Sequence, residues 1–368
     1  MNVCIAAGGT GGHLYPGIAL AQEMMRQDEK SQIQFVGTPR GLEVRVLPEV
    51  GFELRCIAAR GVMGTSPIRA LVALAQLPYA IGQCIRLLRK KKSDLVIGIG
   101  GYTSPPLFFA ALYLGIPRVL VEPNVIPGMA NRVLCRIADT VLLAFEETKR
   151  SFRGVPTYVV GVPLRRGFKR FQDTKTVDRW HGDRHTILIF GGSQGSRTLN
   201  RVVVRAVSFL NTNRAGLRIV HQTGGSDCLF VRHDYAERHL DATVVTSLDD
   251  MAAAYAAADV VISRAGAGTI AELTACGKPA ILIPFPSAAG QHQLRNAEVM
   301  VNAGAAVLIE ETCLSDRLLA DTIQTLISDT DRLARMARCS AELAKHDATE
   351  QSVKFCRELV EQPSRRAV

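Results

Sequence analysis

Short apolar runs rich in Val, Ile and Leu alternate with longer stretches of helical period along the whole chain. In the first half, 2–7, 32–36, 53–58, 94–99, 118–122, 140–143 and 157–160 read as strands. In the second half, 185–190, 217–221, 242–245, 259–263, 280–284 and 305–309 do the same. Strands that take turns with helices predict an α/β fold of two doubly wound parallel sheets. Gly161-Val162-Pro163, followed by a polar, basic stretch at 165–184, marks the expected boundary between domains 1–162 and 163–344. Helical patterns at 330–346 and 349–361 close the chain, and the last helix, about 345–362, is expected to pack back on the first domain.

Two strands run straight into glycine-rich loops. Val3–Ala7 leads to Gly8-Gly9-Thr10-Gly11-Gly12-His13, and Thr186–Phe190 leads to Gly191-Gly192-Ser193-Gln194-Gly195. Such a loop between a buried strand and a helix brings backbone N–H groups and the positive end of the helix dipole to a phosphate. In doubly wound sheets ligands bind at the carboxyl ends of the strands, where both loops fall. Two loops in separate halves predict two phosphate-bearing molecules meeting in a cleft. A dinucleotide fingerprint is not met. Reading from Gly9-x-Gly11, the third glycine position falls on Leu14, and the second strand ends Phe35-Val36-Gly37-Thr38 with no acid for a ribose. A phosphate cradle remains, against a tight turn that serves packing alone.

Other polar groups fall on the same strand ends. His13 starts a helix and is either a general base, a ligand to an anionic acceptor, or a residue making a local hydrogen bond. Gly100-Gly101-Tyr102-Thr103-Ser104 and Glu122-Pro123-Asn124 follow strands on the same rim. Each alone suits a turn or a cap, but three on one edge suggest a site. In the second half, Ser263-Arg264-Ala265-Gly266-Ala267-Gly268-Thr269-Ile270-Ala271-Glu272 follows a strand. Its small residues would let a ligand approach the helix start, and Glu272 could accept both ribose hydroxyls or simply favour the helix dipole. Gln291-His292-Gln293 and Asn296 are neutral groups suited to sugar hydroxyls.

Composition narrows the class. The 368 residues are 47% hydrophobic and 21% charged, which suits a two-domain globular chain. Nine scattered cysteines, with no CxxC or Cys/His cluster, predict reduced thiols in a cytoplasmic protein and no zinc site. No basic region precedes the first apolar run, so no signal peptide is expected. The uncharged run 95–117 is broken by Gly98, Gly100, Gly101, Pro105 and Pro106, unlike a membrane-spanning helix. Net charge is +10, and residues 1–163 carry +7 of it, from 18 Lys and Arg against 11 Asp and Glu. That favours anionic lipid or phosphorylated ligands, and no aromatic-interleaved basic stretch supports nucleic acid. Residues 67–92 hold Ile68, Arg69, Leu71, Val72 and Ala75 in an apolar stretch, then Arg86, Arg89 and Lys90. This is the composition of a membrane-interface helix, or of a core helix with a solvated basic end.

The motifs GGTGGH at 8–13, GIGGYTS at 98–104, EPN at 122–124, GVPLR at 161–165, GGSQGSR at 191–197, HQTG at 221–224, DDMAAAYAAAD at 249–259 and SRAGAGTIAE at 263–272 occur in order over nearly the whole chain. Together they resemble the MurG family of glycosyltransferase family 28. These are peripheral-membrane enzymes that move GlcNAc from UDP-GlcNAc to lipid I in peptidoglycan synthesis, giving lipid II. The resemblance implies a GT-B fold and no cofactor or metal. Glu272 would hold the ribose. Ser193 and the nearby glycine loop would hold the diphosphate, with Arg165 assisting, Gln194, Ala267, Gly268 and Thr269 would also contact the donor, and Leu248 would lie at the uracil. His292, Gln293 and Asn124 would meet the GlcNAc hydroxyls, and Thr10, Gly11 and Gly12 would border the sugar. Gly8, Gly9, Tyr102, Thr103, Ser104 and Glu122 would form the acceptor side, with His13 as base. It also implies the cytoplasmic face of the inner membrane and contact with other cell-wall synthesis and division proteins. The chain departs from the family pattern at Val121, where a His is common, at Pro105 and at Val162. Another GT-B UDP-sugar enzyme, such as a lipid glycosyltransferase or a UDP-GlcNAc 2-epimerase, and a non-catalytic UDP-sugar binder are the competing readings.

Overall fold

The structure is a computed structural model that describes residues 1–61, 67–171, 185–210 and 216–361; residues 172–184 of the polar stretch lie outside these. The chain divides into two compact units. The first is Met1–Arg165 with the segment that begins at Asp347, and the second is Arg166–His346. The divide therefore falls after Arg165 rather than after Val162. The reason is local. Leu164 N–H donates to Thr349 Oγ1 at 3.0 Å, Thr349 Oγ1 donates back to Leu164 O at 3.1 Å, and the Arg165 guanidinium lies 4.7 Å from the centre of the Tyr15 ring. These contacts tie 164–165 to the first unit.

The first unit runs β1 (Asn2–Ala6), α1 (Gly11–Gln27), β2 (Gln32–Gly37), α2 (Glu43–Glu49), β3 (Glu53–Cys56), α3 (Pro67–Lys91), β4 (Leu95–Gly98), α4 (Ser104–Leu114), β5 (Arg118–Glu122), α5 (Met129–Leu134), β6 (Thr140–Leu143) and β7 (Thr157–Val159). Its seven strands pair in parallel in the order β3-β2-β1-β4-β5-β6-β7. Ile5 pairs with Phe35 on one side and Ile97 on the other. The strands are apolar on both faces because both faces are covered. Leu14, Ile18 and Met24 of α1 bury one face, and Cys84, Leu88 and Phe108 of α3 and α4 bury the other.

The second unit runs β8 (His185–Phe190), α6 (Arg197–Ser208), β9 (Leu217–Gln222), α7 (Cys228–Glu237), β10 (Ala242–Val245), α8 (Met251–Ala257), β11 (Val260–Ser263), α9 (Ala267–Ala275), β12 (Ala280–Leu282), α10 (His292–Asn302), β13 (Ala306–Leu308), α11 (Asp316–Ile327) and α12 (Thr330–Glu342). Its parallel order is β10-β9-β8-β11-β12-β13, the same winding as the first sheet. The last helix, α13 (Ala348–Glu361), returns to the first unit, where Val353 and Cys356 join the core beside α1. Burying a side chain such as Val353 stabilises by about 1.5–3 kcal/mol, so α13 is part of that core and not an appendage.

Strand positions agree with the apolar runs, but several ends are shorter. The run 53–58 is strand only to Cys56, because the Ala58 amide turns away to Gln83 Oε1 of α3 at 2.8 Å. The run 280–284 stops at Leu282, because Arg264 takes up the carbonyls of Ile283 and Pro284 at 3.1 and 3.2 Å.

Candidate active site

In each sheet the order reverses beside the first strand of the unit, between β1 and β4 and between β8 and β11. Loops on the two sides of such a switch point diverge and open a crevice at the carboxyl edge. Those loops are 7–10 and 99–103 in the first unit and 191–196 and 264–266 in the second, so the glycine motifs fall where the topology puts a binding site.

In the first unit the loop after β1 is held from below by Glu43, which is 1% exposed. Glu43 Oε2 accepts the Gly9 N–H at 3.0 Å, and Oε1 accepts the Thr38 N–H at 3.0 Å and the Thr38 hydroxyl at 3.3 Å. With its proton committed to Glu43, the Thr38 oxygen is left to accept from the Tyr102 hydroxyl, 3.3 Å away. One carboxylate thus joins the first glycine loop, the end of β2 and the Tyr102 loop. An acid does lie near the end of β2, but it is turned inward onto loop amides and does not stand where a ribose would need it.

His13 is half-buried in the first turn of α1, with its N–H bonded to Thr10 O at 3.1 Å. A Cβ on Gly100 would come within 3.0 Å of His13 Nε2 and 3.5 Å of Asn131 Oδ1, and one on Gly101 within 3.6 Å of His13 Nδ1. At Gly100, φ +119°, only glycine lets the imidazole lie this close; at Gly101, φ +73°, it is the Gly8 carbonyl, 3.0 Å from a Cβ, that bars a side chain. Ser104 closes that loop, donating to Gly100 O at 2.8 Å and accepting the Gly100 N–H at 3.3 Å. Pro105 and Pro106 fit the first turn of α4, where a missing N–H costs nothing. Thr103 is fully buried.

Glu122 is also buried, at 1% exposed, and does not face an open rim. Its carboxylate accepts from the backbone and side-chain amides of Asn124 at 2.9 and 3.2 Å, from Gly128 N–H at 3.0 Å and from Asn131 Nδ2 at 2.8 Å. Burial pushes its pKa up, and the four donors pull the other way. Glu122 therefore organises the 122–131 turn and ties Asn124 and Asn131 to it. The Val121 side chain packs in the core of the first sheet, while its carbonyl accepts from Asn131 Nδ2 at 3.2 Å.

In the second unit Ser193 and Gln194 are exposed at the tip of the loop after β8. The loop is locked at its base. Gly195 and Gly224, at φ +78° and +77°, meet back to back: a Cβ on Gly195 would strike Thr223 O and one on Gly224 would strike Gln194 O. The Ser196 hydroxyl caps α6 by accepting the Leu199 N–H at 3.5 Å. Arg264, 6% exposed, donates to Ser196 Oγ at 2.7 Å and to the carbonyls after β12, forms an ion pair with Glu311 and lies 5.5 Å from the Phe285 ring centre. It binds the glycine loop to the ends of β11 and β12 and to the segment after β13.

Around this anchor stand the remaining residues. Ala267, Gly268 and Thr269 form the first turn of α9, and nothing lies within 4 Å of where a Gly268 Cβ would stand, so its small size leaves open space. The amides there have no intrahelical partner and carry the positive end of the dipole. Glu272 is half-buried one turn on, and its Oε2 accepts from the Tyr255 hydroxyl at 3.2 Å. Tyr255 is fully buried, edge-on to Phe168 and Phe190. Leu248 is half-buried after β10. His292 opens α10, and Gln293 Oε1 accepts the Phe285 N–H at 2.9 Å, which turns the amide nitrogen outward as a donor. Deeper lies His221, which burial pushes down to about 3, so it is neutral at any working pH.

The structure therefore groups the expected residues by unit. Gly8–His13, Tyr102, Thr103, Ser104, Glu122, Asn124 and Arg165 belong to the first, and Ser193, Gln194, Leu248, Ala267–Thr269, Glu272, His292 and Gln293 to the second. Glu43 and Asn131 were not singled out by pattern, and Arg264 was read only as part of the Ser263–Glu272 segment. Glu43 and Arg264 reach Gly9 and Ser196, 34 and 68 positions away, and only an isolated charge or amide at a helix start or strand end hinted at the three.

The glycosyltransferase family 28 N-terminal domain matches residues 3–143, and the family 28 C-terminal domain matches residues 186–352. The chain belongs to glycosyltransferase family 28. Among curated relatives, the UDP-N-acetylglucosamine–N-acetylmuramyl-(pentapeptide) pyrophosphoryl-undecaprenol N-acetylglucosamine transferase of Syntrophus aciditrophicus (strain SB) is 43% identical over 360 residues, 98% of this chain and 99% of its own. The protein of the same name from Myxococcus xanthus (strain DK1622) is 41% identical over 98% of this chain and 94% of its own. Among solved structures, MurG of Acinetobacter baumannii superposes with a TM-score of 0.80 at 32% identity, covering 97% of this chain and 99% of that one. The two Rossmann-like sheets are those of a GT-B family 28 enzyme.

Glu43→Gln leaves shape and volume nearly unchanged but turns an NH2 group against the Gly9 or Thr38 amide. An unsatisfied buried donor costs about 1–3 kcal/mol. Chemical denaturation followed by circular dichroism is expected to give an unfolding free energy lower by that amount, and an unchanged value would contradict the anchoring role.

Proposed function

We propose that this chain transfers GlcNAc from UDP-GlcNAc to the 4-hydroxyl of the N-acetylmuramoyl sugar of a lipid-linked diphosphate acceptor, with inversion at the anomeric carbon. The observation that carries this reading is the near full-length likeness, across both units, to relatives named for that reaction. The second unit takes the donor: Glu272 the ribose hydroxyls, Leu248 the uracil side, the 191–195 loop and the first turn of α9 the diphosphate, and His292 and Gln293 the sugar. The first unit takes the acceptor on the Gly8–His13 and Tyr102–Ser104 loops, while Asn124, Arg165 and Thr10–Gly12 serve the donor from that unit.

In the step itself, His13 removes the proton of the attacking hydroxyl. The freed oxygen pair forms the new bond to the anomeric carbon as the bond to UDP breaks. The negative charge that develops on UDP is met by loop amides and the helix start, which are already oriented and need no rearrangement. Half-burial of His13 over a glycine floor fits a base whose ring must be reached by a sugar hydroxyl.

The acceptor carries a lipid, and α3 supports contact of the first unit with an anionic membrane surface at the cytoplasmic face. Among the described residues, Leu71–Lys91 is the one helix long and apolar enough to cross a membrane. Yet Ala73, Ala80, Cys84 and Leu88 are buried in the first unit, so one face of the helix is committed to the core. The other face exposes Leu71 at 69%, Val72, Leu74, Ala75 and Tyr79 at 62%, and the helix ends in exposed Arg86, Arg89 and Lys90. Ile68 and Arg69 lie in α3, with side chains outside the described residues. On α4, which packs beside α3, Leu112 and Tyr113 are also exposed. A surface of this kind sits in a headgroup layer.

His13→Ala is expected to lower kcat by roughly 10²–10⁴-fold, the contribution of a positioned base, with little change in donor KM; near-normal turnover would remove His13 from that role. Glu272→Ala should raise the dissociation constant for UDP, and unchanged affinity would exclude the ribose contact. Leu71→Glu with Tyr79→Glu should abolish cosedimentation with vesicles containing anionic phospholipid, whereas wild-type binding by this variant would rule out α3 as the membrane surface.

A further inference from the structure

Beneath the second glycine loop lies a chain of four fully or nearly buried polar side chains from three elements. His221 at the end of β9 and Asn200 on α6 are 0% exposed, Tyr235 on α7 is 2% and Asp227 is 7%. His221 Nδ1 lies 3.0 Å from the Tyr235 hydroxyl, and Nε2 lies 3.1 Å from Asn200 Oδ1. Asn200 Nδ2 donates to Thr223 O at 3.0 Å and to Asp227 Oδ2 at 2.9 Å.

Only one proton arrangement satisfies all of them. Asn200 Oδ1 can only accept, so His221 must carry its proton on Nε2. Nδ1 is then an acceptor, and Tyr235 must donate to it. The Asn200 amide is thereby held in one orientation, with its nitrogen toward Thr223 and Asp227. Thr223 is fixed a second time, its N–H donating to Val245 O at 3.0 Å. The backbone of Gln194–Gly195 closes directly on Thr223–Gly224, with no room for a Cβ on either side. The position of Thr223 therefore sets the position of the loop that begins at Gly191.

We propose that His221 is a positioning residue of the donor site: through Asn200 and Thr223 it holds the Gly191–Gly195 loop in the shape that receives the diphosphate. It touches neither substrate nor reacting atoms. Its ring is a two-ended spacer, bonded to the Tyr235 hydroxyl on one side and to Asn200 on the other. This rests on the reading of that loop as the diphosphate site. Loss of the spacer would loosen the phosphate contacts selectively, because Glu272 on α9 is held by the Tyr255 hydroxyl, and the segment after β10 is held by the backbone ladder to β9 and by the Gln222 Nε2 bond to Thr246 O at 3.0 Å, none of which uses the His221 ring.

The test is calorimetric binding of UDP and of uridine to the full chain carrying His221→Leu, His221→Gln, Tyr235→Phe or Ser193→Asp. His221→Leu removes the Nε2–H donor and is expected to weaken UDP by roughly tenfold, the scale of one misplaced hydrogen bond to a charged group. Uridine, which has no phosphate, should bind as before. His221→Gln can place its amide N–H near the Nε2 position and should recover most of the loss. Tyr235→Phe, which removes one hydroxyl from an otherwise intact core, should fall between and serves if the leucine variant does not fold. Equal weakening of UDP and uridine, equal loss in the leucine and glutamine variants, or wild-type UDP affinity in a folded His221→Leu or Tyr235→Phe would overturn the proposal. Ser193→Asp adds a charge to the exposed loop tip; undiminished UDP affinity in that variant would overturn the diphosphate reading of the loop itself, whatever the His221 variants do.

Discussion

A glycine loop has few side chains of its own, so it can be held in place only through its backbone. That constraint shapes both units. In the first, the buried Glu43 carboxylate takes the Gly9 amide and ties the loop to the end of β2. In the second, Arg264 takes Ser196 at the helix start, and Asn200 takes the Thr223 carbonyl against which Gly195 is pressed. Buried polar groups are costly unless every partner is satisfied. Here they are satisfied largely by loop backbone, so the same bonds that offset their burial give the loops a single shape. A rigid loop loses little freedom when an anion settles on it, which is the condition for amides without formal charge to stabilise a leaving diphosphate.

The charges divide along the same lines. Carboxylates at the two rims play different parts according to burial. Glu43 and Glu122 are turned inward on amides and act as struts, whereas Glu272 is half-buried beside open space at the start of α9. The basic excess of the first half includes the exposed end of α3, on the outside of the unit and not at the crevice. The rim of the second unit carries dipoles, a guanidinium already paired with Glu311, and neutral amides.

Much of this was legible in the sequence because it is local. Apolar runs of one strand's length followed by glycine located both sheets and both loops, and helices beginning beside His13 and by the small residues 265–268 followed from the same pattern. Strand ends were less legible: what stopped β3 and β12 was Gln83 in one case and Arg264 in the other, each acting from a distant element. The struts were hidden for the same reason. Glu43 reads as one more acid at a helix start, and its bond to Gly9 spans 34 positions. Glu122 was legible as a polar group at a strand end, but not the fact that its turn folds over it. The family resemblance supplied roles that spacing alone left open, among them the ribose contact of Glu272 and the choice of His13 as base.

The central claim is a single inverting transfer between two phosphate-bearing substrates. It is tested most directly by incubating the full chain with UDP-GlcNAc labelled in the sugar and a short-chain lipid-linked N-acetylmuramoyl diphosphate. The product linkage is then read by NMR, with a control lacking acceptor. The account predicts label in the lipid product, joined to the 4-position with the anomeric configuration inverted, and none without acceptor. Label recovered as free sugar or as the 2-epimer of the donor, or bound donor with no lipid product, would contradict it.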